Sequence, residues 1–532
     1  MSDEPQELEG PDLTKGVPAN EIGEGDTLLG HADGEAAVIA RSGGKLYAIG
    51  ARCTHYGGPL NEGLVVNGTI RCPWHHAAFD LSSGRTVRPP AMHDLPCWSV
   101  EERNGTAVVT GRIQGGMRGT ESHDDSQSAQ PSSVTIVGAG AAGTVAAVTL
   151  RREGFAGSVV LVDAGDAPPT DRPNLSKDYL AGNAPEEWMP LFPDSFYEEN
   201  GIELLLGHRV SEIDTTARAI VFEDCSRRSF DALLIATGAE PIRLDFPNAG
   251  QPVHYLRTLA DSRAIIKHAK DAKRAVVIGA SFIGLEVAAS LRTRGLDVTV
   301  VAPETLPLER VLGSELGKFI LGVHEQHGVS FRLGQTVATV LGDGVTTSGG
   351  EHIPADLVVA GVGVRPNTVL AEKAGLATDK GILVNEFLET SVPGIYAAGD
   401  IAKWPDIHTG DRIRVEHWVV AERQGQCAAR NIIRAASGTR ERFDAIPFFW
   451  SAHYDVAIGY VGHAQKWDAT EVSGDLASND GIVTFRAGDQ VLATATIFRD
   501  RESLEAELRM ERGTQGVRLP DVSELPSSAG AP

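Results

Sequence analysis

Twice in this chain a β-branched run stops at closely spaced glycines, passes into an Ala/Val-rich amphipathic stretch and ends in a second β-branched run. That repeat leaves few folds open. The first copy is SSVTIVGAGAAGTVAAVTLRREGFAGSVVLVDAG: Val134 to Val137 lead into Gly138, Gly140 and Gly143, and the second run ends at Asp163, twenty residues past the last glycine. In a strand, turn, helix, strand unit the glycines permit a tight turn and close approach of a pyrophosphate. The helix N-terminus faces the phosphate charge, and the carboxylate meets the ribose hydroxyls. The second copy is AVVIGASFIGLEVAASLRTRGLDVTVVAPE, with Gly279, Ser281 and Gly284 in the glycine positions. Ser281 leaves a small residue against the pyrophosphate. Ala302 stands where the acid would fall, Glu304 follows two residues later, and no Arg or Lys comes before Arg310. A 2′-phosphate clamp is therefore not evident, which favours NADH over NADPH. Two such units imply two bound dinucleotides.

A second constellation lies nearer the N-terminus, in CTHYGGPLNEGLVVNGTIRCPWHHAAF. Cys53 and His55 share one CxH loop and Cys72 and His75 share one CxxH loop, with sixteen residues between His55 and Cys72. Each loop thus carries one thiolate and one imidazole. A Rieske [2Fe-2S] centre needs that distribution, because two Cys hold one iron and two His the other. The alternatives are a Cys2His2 zinc site, which usually pairs Cys with Cys and His with His locally, or a disulfide, for which Cys97 is the one further thiol nearby.

At 532 residues the chain has room for three or four domains. Residues 1–113 read as a small all-β domain, with short alternating runs broken by Gly, Asn and Pro turns and the two Cys/His loops expected at the ends of two hairpins. Residues 114–131 carry no apolar period and read as a linker, eighteen residues long, with a root-mean-square span on the order of 23 Å. The two α/β units divide as 132–255 and 385–445 for the first nucleotide and 256–384 for the second. A C-terminal α+β domain covers 446–520, in which VTFRAGDQVLATATI reads as a hairpin around a Gly-Asp turn, and 521–532 form a tail. The formal charge of −23 argues against nucleic acid or anionic membrane as a partner. The five scattered cysteines and the lack of a basic, then apolar, N-terminal segment point to a reducing, cytoplasmic setting without an export signal. The longest apolar stretch, Val134 to Leu150, is too short for a membrane span.

CTHYGGPLNEG followed by CPWHHAAFD resembles a Rieske domain of the oxygenase-ferredoxin kind. The resemblance implies that Gly57, Gly58 and Pro59 let the first loop wrap closely around the cluster. His76 departs from the pattern, in which a Gly commonly follows the ligand His. The extra loop cysteines of respiratory Rieske proteins are missing, so the expected potential lies low in the range of about −150 to +300 mV. DRPNLSKDYL, LLIATGAEP, LVVAGVGVRPNT, GIYAAGDIA and EHWVVAERQGQCAARNI follow in the order seen in flavin-dependent pyridine-nucleotide oxidoreductases. They resemble most closely the oxygenase-coupled ferredoxin reductases and apoptosis-inducing-factor-like proteins, some of which have a Rieske domain fused at the N-terminus.

The resemblance implies FAD held by Gly138, Gly140, Ala141, Gly143, Asp163, Arg172, Val210, Thr237, Gly238 and Asp400. It implies NADH, with NADPH as the alternative, at Gly279, Ser281, Ile283, Gly284, Glu286, Glu304 and Gly363. Lys177 would lie near flavin N5, paired with Glu286. Glu416, His417, Trp418 and Trp450 would wall the ring, with Lys177, Glu286, Trp418 and Trp450 as the catalytic set. A cation there suits an electron-rich reduced flavin. Otherwise Lys177 is a surface residue, Glu286 a first-turn helix acid, and the aromatics plain core. Ser176 and Lys177 stand where thiol-using branches carry cysteine. The implied reaction runs from NADH through FAD to the cluster and on, one electron at a time, to an acceptor such as an oxygenase. An NADH oxidase or quinone reductase working at the flavin, or an apoptosis-inducing-factor-like redox sensor, are the alternatives.

Overall fold

The computed structural model describes residues 8–113, 130–246, 249–435 and 437–513. Most of the expected linker, 114–129, and the whole 521–532 tail lie outside the described residues. The chain separates into two compact units.

The first unit is built on two antiparallel sheets. The larger has the order Val17–Pro18, Thr106–Ile113, Cys97–Arg103, Lys45–Gly50, Glu35–Ser42, Thr27–Ala32, and the smaller runs Leu64–Val66, Thr69–Arg71, Ala78–Asp80, Thr86–Arg88. Asp33-Gly34, Asn67-Gly68 and Asn104-Gly105 close three hairpins with both residues at positive φ, the backbone that type I′ turns demand and that Asn, Asp and Gly tolerate. Side chains alternate across the strand Glu35–Ser42. Val38 and Ala40 join a core with Ile49, Leu60, Ile70 and Phe79, while Ala37 and Ile39 join Leu13, Ile22 and Trp98 on the other face.

The hairpin expectation holds for the second Cys/His loop, which joins the paired strands Thr69–Arg71 and Ala78–Asp80. It fails for the first. Lys45–Gly50 pairs with Cys97–Arg103 rather than with the next strand, so Cys53–Gly58 is a crossover between sheets, closed by a single bridge from Arg52 to Pro59.

The second unit holds two five-stranded parallel sheets. One runs Ile202–Leu205, Ser158–Val162, Ser133–Val137, Ala232–Ile235, Ile395–Ala397; the other runs Val253–Tyr255, Leu357–Ala360, Arg274–Ile278, Asp297–Ala302, Ser330–Leu333. The strand Ile395–Ala397 returns to the first sheet after the second is complete, so the second α/β unit is an insertion in the first. Helices Ala141–Arg152 and Phe282–Thr293 follow the glycine turns. Gly138 has φ +109°, and a Cβ there would lie 2.2 Å from Ala236 O; one on Gly143 would lie 1.9 Å from Gly138 O. Gly279 and Gly284 repeat both constraints at 2.4 and 2.3 Å, so only glycine fits these positions. Ser281 caps its helix, accepting from Gly284 N at 3.2 Å and donating to Gly361 O at 2.7 Å.

A five-stranded antiparallel sheet from Phe448–His453 to Gln490–Ile497 closes this unit, and the Gly-Asp turn sits between the paired strands Asp480–Ala487 and Gln490–Ile497 as expected. The 446–520 region is not one domain, however. The helix Asp500–Gly513 belongs to the first unit, because its buried face carries Glu507 and Glu511 into contact with Arg71 and Arg88. Among the described residues no helix is long and apolar enough to cross a membrane.

Candidate active site and metal centre

A cleft in the second unit gathers residues from both glycine turns, from the segment Arg172 to Lys177, and from Glu416 to Trp418 and Phe449 to Trp450. At its polar centre is Glu286, 4% exposed on the first turns of the helix Phe282–Thr293. Its Oε2 accepts from Ser176 Oγ at 2.6 Å and Lys177 Nζ at 2.9 Å, and its Oε1 from Ser451 Oγ at 2.6 Å. Lys177 Nζ also donates to Pro173 O at 3.1 Å. Ser290 Oγ holds the Ser176 carbonyl at 2.7 Å, which ties the lysine segment to the same helix. The polar line continues inward: Ser451 Oγ lies 3.2 Å from His453 Nε2, and His453 Nδ1 lies 3.1 Å from His324 Nε2. Burial pushes His453 down to about 3 and His324 to about 2, so both are neutral imidazoles.

One wall is aromatic. Phe449 lies 4.9 Å from Phe282 and 4.6 Å from His417 between ring centroids, and burial holds His417 neutral, near 3. At the end by the first glycine turn, Asp400 accepts from Arg257 at 2.6 Å. Arg172 faces the space that a Cβ on Gly140 would fill, at 3.5 Å. Burial, then the charge of Arg257, pulls Arg172 down to about 10. Glu416 pairs with Arg414 at 2.8 Å, and burial raises it.

The structure therefore brings Gly140, Ala141, Arg172, Lys177, Gly238, Ser281, Ile283, Glu286, Gly363, Asp400, Glu416, His417, Trp418 and Trp450 to one cleft. Gly138, Gly143, Gly279 and Gly284 lie behind it in the turns. Asp163 binds its own turn, accepting from Ala139 N at 2.7 Å and Gly165 N at 2.8 Å. Thr237 is tied to Asn367, whose Nδ2 donates to the Thr237 carbonyl at 2.9 Å. Val210 starts a strand paired with Phe222, and Glu304 lies just past the strand Asp297–Ala302; neither lines the cleft. Sequence reasoning missed Arg257, Arg414, Ser451 and His453. Strand alternation was the available signal for the last two, since Ser451 and His453 point inward, opposite to Trp450.

In the first unit Cys53 and Cys72 are buried at 3% and 1% exposure, and they share a hydrogen bond that lowers Cys53 and raises Cys72 well above its usual range. The imidazoles face each other, His55 Nδ1 to His75 Nδ1, at 3.1 Å. Among the described residues no three His, Cys, Asp or Glu are grouped for one ion; the four form a sulfur pair and a nitrogen pair. A Cβ on Gly58 would lie 2.7 Å from Cys72 Sγ, so glycine there lets the loops meet. His76, at φ +61°, occupies the left-handed region at a cost of roughly 1–2 kcal/mol, which explains why glycine suits that position.

A family model for pyridine nucleotide-disulphide oxidoreductases matches residues 132–425. The chain belongs to that family. A Rieske [2Fe-2S] domain model matches residues 14–99 of the same oxidoreductase. It is 31% identical to Apoptosis-inducing factor 3 of Homo sapiens over 479 residues, 87% of this chain and 78% of that one. It is 37% identical to rhodocoxin reductase of Rhodococcus erythropolis over 382 residues, 70% and 88% of the two chains. The crystal structure of the covalent putidaredoxin reductase-putidaredoxin complex matches with TM-score 0.67 at 34% identity, over 72% of this chain and 93% of that one.

The cofactors of this oxidoreductase are FAD, NAD(P)H and a [2Fe-2S] cluster, and electrons pass from NAD(P)H through FAD to the cluster. The residues present fit all three. The glycine turns leave room for two pyrophosphates, and the guanidinium groups of Arg172 and Arg257 stand beside Gly140 and Gly238. Arg257 Nε and His417 Nδ1 are buried without a partner among the described residues, as expected of groups that meet a ligand. The paired sulfurs and paired imidazole nitrogens match two irons rather than one zinc.

Proposed function

We propose that this oxidoreductase is a reductase with its own ferredoxin, in which NADH is the donor, Cys53, His55, Cys72 and His75 hold the cluster, and electrons leave singly to a protein acceptor such as an oxygenase. The reading rests on one observation above others: Rieske loops share a chain with a flavin cleft centred on Lys177 and Glu286. When bound, FAD turns a two-electron hydride into single electrons and the cluster accepts them one at a time.

The protein's residues do the rest. Lys177, held at 2.9 Å by Glu286 and 3.1 Å by Pro173 O, presents a fixed cation to the ring without needing to reorganise. Phe449, His417 and Trp450 line the same cleft and would shield a bound ring from water. Arg172 and Arg257 meet the FAD pyrophosphate, and Glu304 is the acid available to the NADH ribose. Residues 132–255 with 385–445 hold FAD, and 256–384 hold NADH, a division supported by the return of the strand Ile395–Ala397 to the first sheet. Similarity to rhodocoxin reductase and to a putidaredoxin reductase solved in complex with putidaredoxin supports a protein as the electron acceptor, with the Rieske domain as a built-in counterpart of that separate partner.

The 31% identity to Apoptosis-inducing factor 3 across 87% of the chain favours a second reading, a redox sensor whose partner choice follows nucleotide binding. Anaerobic stopped-flow with NADH separates the two. Fast flavin bleaching followed by cluster reduction, with the second phase lost and the first kept in Cys53→Ser, is the expected result. Slow bleaching with a long-lived charge-transfer band would overturn it in favour of the sensor.

A further inference from the structure

The C-terminal helix Asp500–Gly513 lies in the same unit as the cluster loops, and the functional reading above gives it no task. Its buried face holds Ser503, Leu504, Ala506, Glu507 and Met510. An acid at the centre of such a face is unusual, since a buried carboxylate must be fully paired to be tolerated. Glu507 is wholly buried and is paired on every side: His76 Nδ1 at 3.0 Å, Arg88, and Arg71 Nη1 at 3.7 Å. Glu511 completes the cluster, reaching Arg71 at 2.8 Å and Arg88 at 2.8 Å.

These partners are not scattered. Arg71 is the residue before Cys72, His76 is the residue after His75, and Arg88 lies opposite Ala78, where the same loop returns to its sheet. The loop is a tight turn closed by His76 N to Cys72 O at 3.1 Å and Cys72 N to Ala77 O at 2.8 Å. One carboxylate from the far end of the chain therefore grips both ends of the second ligand loop. It also accounts for a histidine at positive φ where glycine would be relaxed: only a side chain at that position can reach Glu507.

We infer that Glu507 is a positioning residue for the second ligand loop, orienting His75 through His76 and, with Arg71 and Arg88, setting the charge against which the cluster takes up its electron. The inference rests on the assignment of Cys72 and His75 as ligands. Two carboxylates oppose two guanidiniums here, so the balance is close and each single neutralisation tips it. Loss of the Glu507 charge favours the added electron, and loss of the Arg88 charge opposes it.

The test is a redox titration of the Rieske EPR signal in the full-length holoprotein. Glu507→Gln shifts the midpoint upward and Arg88→Gln shifts it downward, while the double variant returns toward wild type. His76→Gly leaves the carboxylate and guanidiniums in place but cuts the link at the His75 end of the loop, so it changes the EPR g-values with a smaller midpoint shift than Glu507→Gln. A helix that merely docks gives neither opposite signs nor the return. If Glu507→Gln loses its cluster, Glu511→Gln, which removes the other carboxylate paired to Arg71 and Arg88, shifts the midpoint upward against the downward shift of Arg88→Gln and carries the same test of sign. Shifts of the same sign, no shifts, or unchanged g-values in His76→Gly overturn the inference. Absence of any Rieske signal from the wild-type protein would instead overturn the ligand assignment.

Discussion

Neutralising both members of the Lys177–Glu286 pair should cost less than the sum of neutralising each alone. Lys177 is 17% exposed and Glu286 4%, so the pair has lost most of its hydration and each charge depends on the other. Glu286→Gln keeps acceptor capacity for one serine hydroxyl but leaves the ammonium with only Pro173 O. Removing one partner of a buried pair costs about 3–5 kcal/mol, and the residual exposure of Lys177 places this site near the lower end, about 3 kcal/mol. Lys177→Met alone leaves Glu286 with two hydroxyl donors, a milder loss of about 2 kcal/mol. In the double variant no unpaired charge remains, and a coupling energy of about 2 kcal/mol should be recovered. Urea denaturation of the four proteins, followed by release of flavin fluorescence, measures the cycle. Costs that add to within about 0.5 kcal/mol would show that the two charges do not depend on each other and refute the argument. The functional arm is the rate of NADH-driven flavin bleaching, which should fall on the order of 100-fold in Lys177→Met, the scale for losing a preorganised electrostatic partner.

Two further outcomes are expected. Glu304→Arg should weaken NADH and improve NADPH relative to it, read as the ratio of kcat/KM values; an unchanged ratio places the ribose elsewhere. His324 and His453 titrate near 6.5 when unfolded and at about 2 and about 3 when folded, so below pH 6.5 the unfolded state binds more protons. Stability then falls as pH drops, by about 1.4 kcal/mol per pH unit for each histidine. A His324→Gln/His453→Gln variant should show a flatter decline between pH 6.5 and 4.5 in urea titrations, and parallel curves would refute the linkage.

Local chemistry was legible in the sequence. The Asp-Gly and Asn-Gly turns and the glycine spacings each dictate a backbone that few other residues can adopt, so their structural meaning travels with a few adjacent letters. What escaped was set by packing across long separations. Ser451 meets Glu286 from 165 residues away, and Glu507 meets His76 from 431. The charged composition of Asp500–Gly513 gives no sign that one of its acids is buried, and only the Leu504 and Met510 stripe hints at a buried face. The first Cys/His loop differs from the expected hairpin tip because turn residues mark a reversal without saying which strand receives the chain. His76 was visible as a departure, but its reason lies in a partner at the opposite end of the sequence.

The fate of the electrons follows from where sulfur stands in this molecule. The family is named for disulphide chemistry, in which a thiol pair beside the flavin takes two electrons together. Here no sulfur lines the cleft among the described residues, and Ser176 Oγ is already committed to Glu286 at 2.6 Å. Burial pushes Cys97 up to about 11 and raises Cys427 further, so neither offers a thiolate, and Cys225 is exposed and alone. The two remaining cysteines, Cys53 and Cys72, are the buried pair in the Cys/His loops. A hydride delivered to this flavin therefore finds no two-electron thiol acceptor within the cleft. With both groups bound, the cluster would supply one-electron chemistry, and the cysteine-free lining of the cleft would leave it as the exit the chain itself provides.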